Sequence, residues 1–234
     1  MRYDYKSALI VGAGAGLSAS LARLLHREAG MRIRLAARSI GKLDALVADT
    51  GAAAVACDAT KPADVDALFE TMERSLGGPP DVVIYNASAR ARGPFVDLDS
   101  ELVAQAIAVS AYGGFLVAQR AARRMCAQKR GAILFTGASA SVKGYAQSAP
   151  FAMGKFALRG LAQSLARELS PQGIHVAHFV IDGAIRNPGR AGPPDAPDSL
   201  LDPDAIARAY LDVLRQDRSA WTWEIELRPW VERF

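Results

Sequence analysis

The run Ser7-Ala-Leu-Ile-Val11 leads directly into Gly12-Ala13-Gly14-Ala15-Gly16-Leu17-Ser18, a turn with three glycines. Glycines allow a backbone to turn tightly and to approach a pyrophosphate group, which the N-terminal amides and dipole of the next helix then hold. A glycine-rich turn is weak evidence alone. Here a strand-like run precedes the turn, a helical pattern begins near Leu17 and a second β-rich run follows, so the context predicts dinucleotide binding.

Outward from this turn, short β-rich runs alternate with longer helical patterns. Strands are expected at 7–11, 32–36, 53–57, 82–85, 132–136, 175–181 and 220–227. Helices are expected at 17–29, 40–49, 62–76, 100–127, 150–169 and 203–216. Asp99 or Ser100 should cap the fourth helix, and Asp202 or Pro203 should open the last. The alternation predicts an α/β fold, a single Rossmann-type domain over 1–234 with a doubly wound parallel sheet and helices on both faces.

Composition limits the partners and the location. The 234 residues are half apolar, with a net charge of +4 from 28 basic and 24 acidic residues. The densest basic segment, 120–130, has no interleaved aromatic residues to stack bases, so nucleic-acid binding is not expected. No apolar run reaches the roughly 18–20 residues that span a bilayer, and no signal-peptide pattern is visible. Cys57 and Cys126 lack metal-ligand spacing, and His175 and His178 should point to opposite faces of one strand. We therefore expect no metal site and no membrane association, and a cytoplasmic location with reduced thiols.

The end of the second expected strand distinguishes NADP from NAD. An NAD site usually has an Asp or Glu there, which binds the ribose 2′-hydroxyl. This chain has Leu35-Ala36-Ala37-Arg38-Ser39 instead. Arg38 can bind a 2′-phosphate as a charged fork, helped by the Ser39 hydroxyl, whereas an acid would repel it. The pattern favours NADP(H), with NADPH preferred over NADH; the alternative is that Arg38 is an ordinary surface arginine.

Two further motifs follow expected strands, Cys57-Asp58-Ala59-Thr60 and Tyr85-Asn86-Ala87-Ser88. With the glycine turn, they resemble the short-chain dehydrogenase/reductase family, from about Ser7 to about Asn187. In that family an Asp-x-Thr element contacts the adenine and an Asn-Asn-Ala-Gly element lines the cofactor. Tyr85 and Ser88 depart from this pattern, as do Val11 and Ser18 in the glycine turn. The resemblance implies a cofactor held by Gly12, Gly14, Gly16, Leu17, Arg38, Ser39, Asp58, Ala59, Asn86, Ala87, Lys155, Gly183 and Ile185.

The catalytic positions are where the chain departs most from that family. The family uses Asn, Ser, Tyr and Lys, the last two in a helical Tyr-x-x-x-Lys motif. Here Phe151-Ala-Met-Gly-Lys155 stands in place of that motif, Ala138 in the Ser place and Ser110 in the Asn place. Carbonyl reduction needs a proton or strong polarisation at the oxygen, which a phenylalanine does not supply. Lys155 is kept, and its other family role is a hydrogen bond to the nicotinamide ribose.

Replacement groups lie close to the vacant positions. Tyr145 belongs to the segment that lines the substrate pocket in similar proteins, and it is the expected relocated acid; the alternative is an aromatic pocket wall. Ser139, with Ser141 and Ser148 on the same segment, is the expected hydroxyl next to the vacant serine place. The expected catalytic residues are therefore Lys155, Tyr145 and Ser139.

Two later segments are expected to complete the site and the assembly. Ile181-Asp182-Gly183-Ala184-Ile185 stands where the family has Pro-Gly-x-x-x-Thr, and Asn187 falls in the Thr place, beside the nicotinamide carboxamide. The proline- and glycine-rich segment 186–202 is interpreted as a substrate lid, with a plain connector as the alternative. The apolar segment 220–234 should close the sheet edge or form an interface, with Trp221, Trp223, Ile225 and Leu227 on one side. Similar proteins are commonly dimers or tetramers, so a homodimer or homotetramer is expected.

These patterns predict an NADP(H)-dependent oxidoreductase of the short-chain dehydrogenase type with a non-standard active site. Its substrate would be a small carbonyl, enone or imine-like compound that accepts a hydride. The alternative is an NADP(H)-binding protein without turnover, such as a sensor or regulatory subunit. The departures at Ser110, Ala138 and Phe151 favour that alternative.

Overall fold

The computed structural model describes residues 4–189, 192–193 and 195–231. One parallel sheet of seven strands forms its centre, in the order β3-β2-β1-β4-β5-β6-β7. The strands are β1 (Ser7–Val11), β2 (Arg32–Ala37), β3 (Ala53–Ala56), β4 (Val82–Tyr85), β5 (Gly131–Thr136), β6 (Ile174–Ile181) and β7 (Glu224–Leu227). The helices are α1 (Leu17–Ala29), α2 (Asp44–Thr50), α3 (Pro62–Leu76), α4 (Ser100–Ile107), α5 (Gly113–Gln128), α6 (Ala149–Leu169) and α7 (Pro203–Leu214). The Rossmann-type α/β fold predicted from the sequence is confirmed.

Each face of the sheet carries its own hydrophobic core, because successive strand residues point to opposite faces. Ala8 and Ile10 of β1 belong to the core that includes side chains of α1, α2 and α7. Leu9 and Val11 of the same strand belong to the core that includes side chains of α3, α5 and α6. This arrangement explains the continuous apolar runs of the strands, since a strand covered on both faces has no solvent side.

The helix starts follow from local capping chemistry. The Asp99 carboxylate accepts from the Leu102 amide at 2.9 Å, so Asp99 is the cap of α4. The Asp202 carboxylate accepts from the Asp204 amide at 2.8 Å, and Pro203 occupies the first turn of α7. A side-chain oxygen before the first turn satisfies an amide that the helix leaves unpaired.

Two predicted element boundaries are wrong by four residues, while the ends of several other elements differ from the prediction by one or two residues. The second helix begins at Asp44 rather than at residue 40, because Gly41–Leu43 forms a 3-10 turn. The last strand begins at Glu224 rather than at residue 220, after a 3-10 turn over Arg218–Ala220. The predicted one-sided alternation therefore holds only for Ile225 and Leu227, which pack on the first core.

The tryptophans that precede β7 have separate contacts. Trp223 packs on the second core, and Trp221 stacks on His175 with ring centroids 4.6 Å apart. The strand itself pairs in parallel with β6, from His178 opposite Glu224 to Ile181 opposite Leu227. The C-terminal segment thus closes the sheet edge as far as Leu227, while residues 232–234 of the expected tail lie outside the described part of the chain.

The helical run Ser100–Gln128 bears on the expectation of no membrane association. By length and composition it is apolar enough to cross a bilayer, although no uninterrupted apolar run of that length occurs in the sequence. Its apolar side chains have another role, since Leu116, Val117 and Met125 are buried in the second core. The run includes a π-helical turn over Ala108–Tyr112 that the sequence pattern did not predict.

Candidate active site

The glycine turn lies at the carboxyl end of β1 and is held against the end of β4. Gly12 has a φ of +85°, which side-chain-bearing residues rarely adopt, and a Cβ built there would lie 2.4 Å from the Ala87 amide nitrogen. A Cβ on Gly14 would meet nothing within 4 Å. Gly12 is thus required by backbone strain and by the close approach of Ala87, whereas Gly14 is not.

Ser18, a departure from the family pattern, ties the turn to the sheet. Its hydroxyl donates to the Gly12 carbonyl at 3.1 Å and accepts from the Asn86 side-chain amide at 2.7 Å. Asn86 follows β4, so this pair of hydrogen bonds connects the first turn of α1 to the neighbouring strand. Where the family has a flexible glycine, the Ser18 hydroxyl therefore connects the glycine turn to the segment that follows β4.

A cavity of ≈ 200 Å³ opens beside this turn. It brings together Gly12, Arg38, Asp58, Ala59, Asn86 and Ala87, as the sequence predicted, and it adds Lys42 and Thr60. The Asp58 carboxylate accepts from the Thr60 amide and hydroxyl at 3.0 and 2.8 Å. Burial raises the pKa of Asp58, but these hydrogen bonds, together with Lys61 and Arg38, outweigh it and leave the pKa below its ordinary value.

A second cavity of ≈ 260 Å³ adjoins the first, since Asn86 and Ser88 line both. It brings together Gly16, Leu17, Lys155, Gly183 and Ile185, all predicted cofactor contacts, with Asn187 at its rim. The two cavities form one trough across the carboxyl ends of β1, β4, β5 and β6. Ligands of open parallel sheets bind at this edge.

The trough fits an NADP molecule by the chemistry of its lining. Backbone amides and the N-terminus of α1 suit a pyrophosphate, and two cations at one end, Arg38 and Lys42, suit a 2′-phosphate. Gly14 and Ser39, both predicted cofactor contacts, do not line either cavity. Lys42, rather than Ser39, lines the first cavity together with Arg38.

Lys155 is buried at the other end of the trough. Only 3 % of its surface is exposed, and its ammonium donates to the Thr136 carbonyl at 2.7 Å. Burial, with the nearby positive charge of Arg90 as the second cause, lowers the pKa of Lys155 to about 7. The lysine can therefore exchange a proton near neutral pH, which a solvent-exposed lysine does not do.

Phe151, which occupies the place of the family's tyrosine, contacts two cations. The Arg90 guanidinium carbon lies 4.3 Å from the centre of the Phe151 ring, and Lys155 Nζ lies 5.9 Å from it. An aromatic face attracts cations through its quadrupole. Phe151 therefore does not only lack the hydroxyl of a tyrosine. Its ring also contacts the Arg90 guanidinium, and both residues line the second cavity.

The vacant asparagine place lies in the π-helical turn. Ser110 is fully buried there, and its hydroxyl accepts from the Ala89 amide at 3.3 Å. The Tyr85 hydroxyl donates to the Val109 carbonyl of the same turn. A Cβ on Gly154 would lie 2.7 Å from Ser110 Cβ, so little space surrounds the serine. Tyr85 and Ser110 therefore stabilise the turn, a local helix distortion of a kind frequent at functional sites.

A third cavity of ≈ 470 Å³ continues outward from the Lys155 end and is termed the substrate cleft. Its lining residues are Arg90, Arg92, Ala138, Ser139, Ala140, Tyr145, Ala146, Ser148, Phe151, Ile181, Asp182, Gly183 and Ala184. Tyr145 and Ser139 are among them, as predicted, and Tyr145 is 50 % exposed.

Asp182 is the acidic residue among the described residues that line this cleft. Its carboxylate is 2.9 Å from the Lys143 ammonium and 3.8 Å from the Arg228 guanidinium. Burial raises the pKa of Asp182, but the hydrogen bonds from Lys143 and Ser139 outweigh it and hold the pKa below its ordinary value. The acid is thus ionised and paired, and it replaces the family's proline with a fixed negative charge.

A buried chain of hydrogen bonds positions the loop that carries Ala138. Arg159 donates to Glu224 at 2.6 and 2.7 Å, and His178 Nδ1 lies 3.1 Å from the same carboxylate. His178 Nε2 lies 3.4 Å from the Ser141 hydroxyl, which accepts from the Ala138 amide. Burial lowers the pKa of His178 to about 4, so the ring is neutral at pH 7. Ser141 and His178 are fully buried and outside the cleft lining, so this chain has a structural role.

Three cations that line the cavities were not predicted from the sequence: Lys42, Arg90 and Arg92. All three lie in irregular or 3-10 segments that follow β2 and β4. The signal that could identify them is a cation shortly after the carboxyl end of a parallel strand, the same signal that indicates Arg38. His175 and His178 are both buried, and among the described residues no group of three or more metal-ligating side chains occurs.

The fold and the trough together define a dinucleotide-binding protein of the Rossmann type. Residues 6–187 match the family model of short chain dehydrogenases. The chain is 31% identical over 180 residues to a 3-oxoacyl-[acyl-carrier-protein] reductase, MabA, of Mycobacterium avium, covering 77% of this chain and 67% of the relative. The protein belongs to the short-chain dehydrogenase/reductase family and is of the oxidoreductase class.

Solved structures agree with this assignment. A short-chain dehydrogenase from Rhodopseudomonas palustris is 33% identical, with a TM-score of 0.79 over 95% of this chain and 99% of the other. A metagenomic short-chain oxidoreductase in complex with NADP is 25% identical, with a TM-score of 0.84 over 97% of this chain and 99% of the other.

Proposed function

We propose that the protein is an NADP(H)-dependent oxidoreductase that reduces a small carbonyl, enone or imine-like substrate with Lys155 as its proton donor. The observation that carries the proposal is the position of Lys155, which is buried in the second cavity of the trough, the cavity that adjoins the substrate cleft through Ala138 and Phe151. Bound in the trough, the nicotinamide would supply the hydride. Arg38 and Lys42 supply the charge that favours a 2′-phosphate, and the NADP complex of a structural relative supports the same preference.

Lys155 can perform the task that Phe151 cannot. A general acid works best when its pKa lies near the working pH, and burial lowers the pKa of this ammonium to about 7. Its hydrogen bond to the Thr136 carbonyl holds the ammonium at the base of the site. Tyr145 remains the second candidate for the acid, because it lines the substrate cleft, and Ser139 is held by Asp182 as a candidate hydroxyl that orients the substrate.

The alternative is a protein that binds NADP(H) without turnover. The observations that favour it are Ala138 at the vacant serine place and a Ser110 hydroxyl that is engaged with Ala89 rather than exposed to the cleft. Such a protein would keep the trough and its cations while lacking proton transfer. Turnover therefore distinguishes the two functions, and cofactor binding does not.

The function is tested by cofactor titration followed by a turnover screen. NADPH and NADH should be titrated into the wild type and into Arg38→Ala while NAD(P)H fluorescence is recorded. The wild type should bind NADPH more tightly, and Arg38→Ala should lose about 10-fold or more of NADPH affinity, because a charged hydrogen bond contributes about 1.5–3 kcal/mol. Arg123→Ala, an exposed arginine of α5, is the matched control. Equal NADH affinity would contradict the cofactor preference.

The screen should then follow NADPH oxidation with ketones, enones and cyclic imines. Turnover of a member of these classes supports the oxidoreductase. Tight NADPH binding without turnover of any class would favour the sensor or regulatory subunit. Tyr145→Phe belongs in the same screen, because loss of turnover in that variant would assign the acid to Tyr145 instead of Lys155.

The proposal includes a homodimer or homotetramer. Exposed apolar side chains lie on α4, α5 and α6 and in the π-helical turn: Leu102, Tyr112, Phe115, Met153 and Phe156. Such a patch is typical of an interface. Sedimentation equilibrium should give the mass of at least two chains, and a monomer at micromolar concentration would overturn this part of the proposal. A single domain, a lid over 186–202 and a cytoplasmic location remain part of the same proposal, and residues 190, 191 and 194 of that lid lie outside the described residues.

A further inference from the structure

Lys155 is a buried lysine that has no acidic partner among the described residues. Its ammonium donates to the Thr136 carbonyl at 2.7 Å, and within the part of the chain that the structure describes it belongs to no salt bridge. A neutral carbonyl offsets only part of the cost of burying a positive charge, so this environment favours the uncharged amine. An uncharged lysine amine is a nucleophile.

The amine lies at the wall of a cavity rather than in the closed core. Lys155 lines the second cavity of ≈ 260 Å³ together with Thr136, Gly137 and Ala138, at and just after the end of β5. Its Nζ atom lies 5.9 Å from the centre of the Phe151 ring, which lines both this cavity and the substrate cleft. A water molecule occupies about 30 Å³ of the liquid, so the cavity has room for a compound of a few carbon atoms. A small molecule in the cleft can therefore enter the cavity that contains the amine.

The uncharged amine is abundant at neutral pH. Burial, with the positive charge of Arg90 as the second cause, lowers the pKa of Lys155 to about 7, so about half of the molecules carry the neutral amine at pH 7. An exposed lysine with a pKa of about 10.4 is neutral in fewer than about 1 molecule in 10³ at that pH. His178 of β6 also interacts electrostatically with Lys155, but burial lowers the pKa of His178 to about 4. The charge of His178 therefore does not change over the range in which Lys155 titrates.

We propose that Lys155 is a Schiff-base-forming residue and that, in the absence of NADP(H), the protein captures small aldehydes at this amine. The site is the second cavity, and the ligand is an aldehyde of a few carbon atoms that enters from the substrate cleft. The capture is a further activity beside the proposed reduction, since it requires neither the cofactor nor turnover.

The reaction balances without an oxidant or a reductant. The lone pair of Nζ attacks the aldehyde carbon and forms a carbon–nitrogen bond, while the π electrons of the carbonyl move to its oxygen. That oxygen accepts a proton that the nitrogen releases, and a second proton lets it leave as water. The nitrogen lone pair then forms the carbon–nitrogen double bond, and the nitrogen returns the second proton to the solvent. The product is an imine, which hydrolyses by the reverse steps.

Reductive trapping tests the proposal on the full chain without NADP(H). Propanal, equimolar with the protein, should be added at pH 7 with excess sodium cyanoborohydride, which reduces an imine to a stable secondary amine. Peptide mapping by mass spectrometry then gives the propyl label on each lysine and on the α-amine of the chain. Lys155 should be labelled at least about 10-fold faster than the exposed Lys61, because its neutral fraction is on the order of 10³ times that of an exposed lysine and burial slows access. Equal rates at the two lysines would overturn the proposal.

Two lysine variants assign the fast label to one amine. Lys155→Met should lose the fast phase of labelling while its exposed lysines are labelled as in the wild type. Lys61→Met removes an exposed lysine instead and should keep the fast phase. A fast phase that persists in Lys155→Met would show that another amine captures the aldehyde, and it would overturn the assignment.

A second pair of variants tests the route from the cleft. Ala138 lines both the cleft and the second cavity, whereas Ala146 lines the cleft alone. Ala138→Leu should therefore slow the labelling of Lys155, and Ala146→Leu should leave it at the wild-type rate. Unchanged labelling in Ala138→Leu would contradict entry from the cleft.

The pH dependence provides an independent criterion. The neutral amine is the nucleophile, so the labelling rate at Lys155 should rise from pH 5 to 7 and level off above about pH 8. The rate at Lys61 should still rise at pH 9, as expected for an exposed lysine. Parallel profiles at the two lysines would overturn the proposal. Fast labelling of Lys155 in a protein that turns over no substrate would support the capture and refute only the proposed reduction.

Discussion

Alanine at position 12 should destabilise the protein and remove its cofactor binding. A Cβ there would lie 2.4 Å from the Ala87 amide nitrogen, at a φ of +85°. The positive φ costs about 1–2 kcal/mol and the overpacking about 1–3 kcal/mol, so the expected loss in free energy of unfolding is about 2–5 kcal/mol. Any shift of the turn that relieved the clash would also displace the backbone amides that are proposed to bind the pyrophosphate. NADPH affinity should therefore fall as well.

Gly14→Ala is the matched control for this prediction. It changes the same residue type in the same turn, but its Cβ would meet nothing within 4 Å. Urea unfolding and NADPH fluorescence titration should be measured on both variants. Wild-type stability and affinity in Gly12→Ala would contradict the geometry of the turn, and an equal loss in Gly14→Ala would show that the turn tolerates no side chain anywhere.

Replacement of Lys155 by methionine should have the largest effect on turnover. Removal of a general acid costs about 10²–10⁴-fold in rate, so kcat for reduction should fall by that amount on any substrate that the wild type accepts. The protonated ammonium is the acid, and its pKa lies at about 7, so wild-type kcat should decrease as the pH rises through 7. Tyr145→Phe should keep this pH profile. A profile that disappears in Tyr145→Phe and persists in Lys155→Met would assign the proton to the tyrosine.

Lys155→Met should also change the pH dependence of the free energy of unfolding, which can be measured without a substrate. In the unfolded chain the pKa of a lysine is about 10.4, whereas burial lowers the pKa of Lys155 to about 7. Between these values the unfolded chain binds more protons, so wild-type stability should rise with pH from 7 to 10 and be lowest below 7. Lys155→Met should be more stable than the wild type at pH 6, by about 2–4 kcal/mol, and should lack this rise. A parallel pH dependence of the two proteins in urea unfolding would contradict a buried, readily deprotonated lysine.

Most of the fold was predictable from local patterns. The first helix, the third helix and two strands, β1 and β4, have the predicted bounds, because buried strands and amphipathic helices carry periodic apolar residues. The wrong boundaries lie at the sheet edge and in 3-10 turns. There the pattern is short, and the contacts that fix it come from distant residues, as with Trp221 on His175.

The candidate site was predictable mainly where it depends on the ends of strands. Four of the predicted residues that line the first cavity each follow a strand: Gly12, Arg38, Asp58 and Asn86. The carboxyl ends of parallel strands lie at the same edge of the sheet. Gly14 and Ser39 also follow strands and yet do not line the trough. The direction in which a turn residue points depends on the backbone path of that turn. Lys155 could be recognised by its place on a helix, but its lowered pKa depends on what buries it.

The sequence alone thus establishes the parallel α/β architecture, the dinucleotide turn and the loss of a hydroxyl at Phe151. Each of these can be recognised from the spacing of residues within a short segment of the chain. The chemistry around Phe151 depends instead on contacts between segments far apart in the chain. Arg90 lies after β4 and Phe151 in the first turn of α6, and packing of the two elements at one sheet edge brings the guanidinium over the ring. No local pattern encodes that contact, since Arg90 lies in an irregular segment without periodicity. The spacing of residues 151–155 therefore shows which hydroxyl the site lacks, and the tertiary packing shows the two cations, Arg90 and Lys155, that lie against the Phe151 ring.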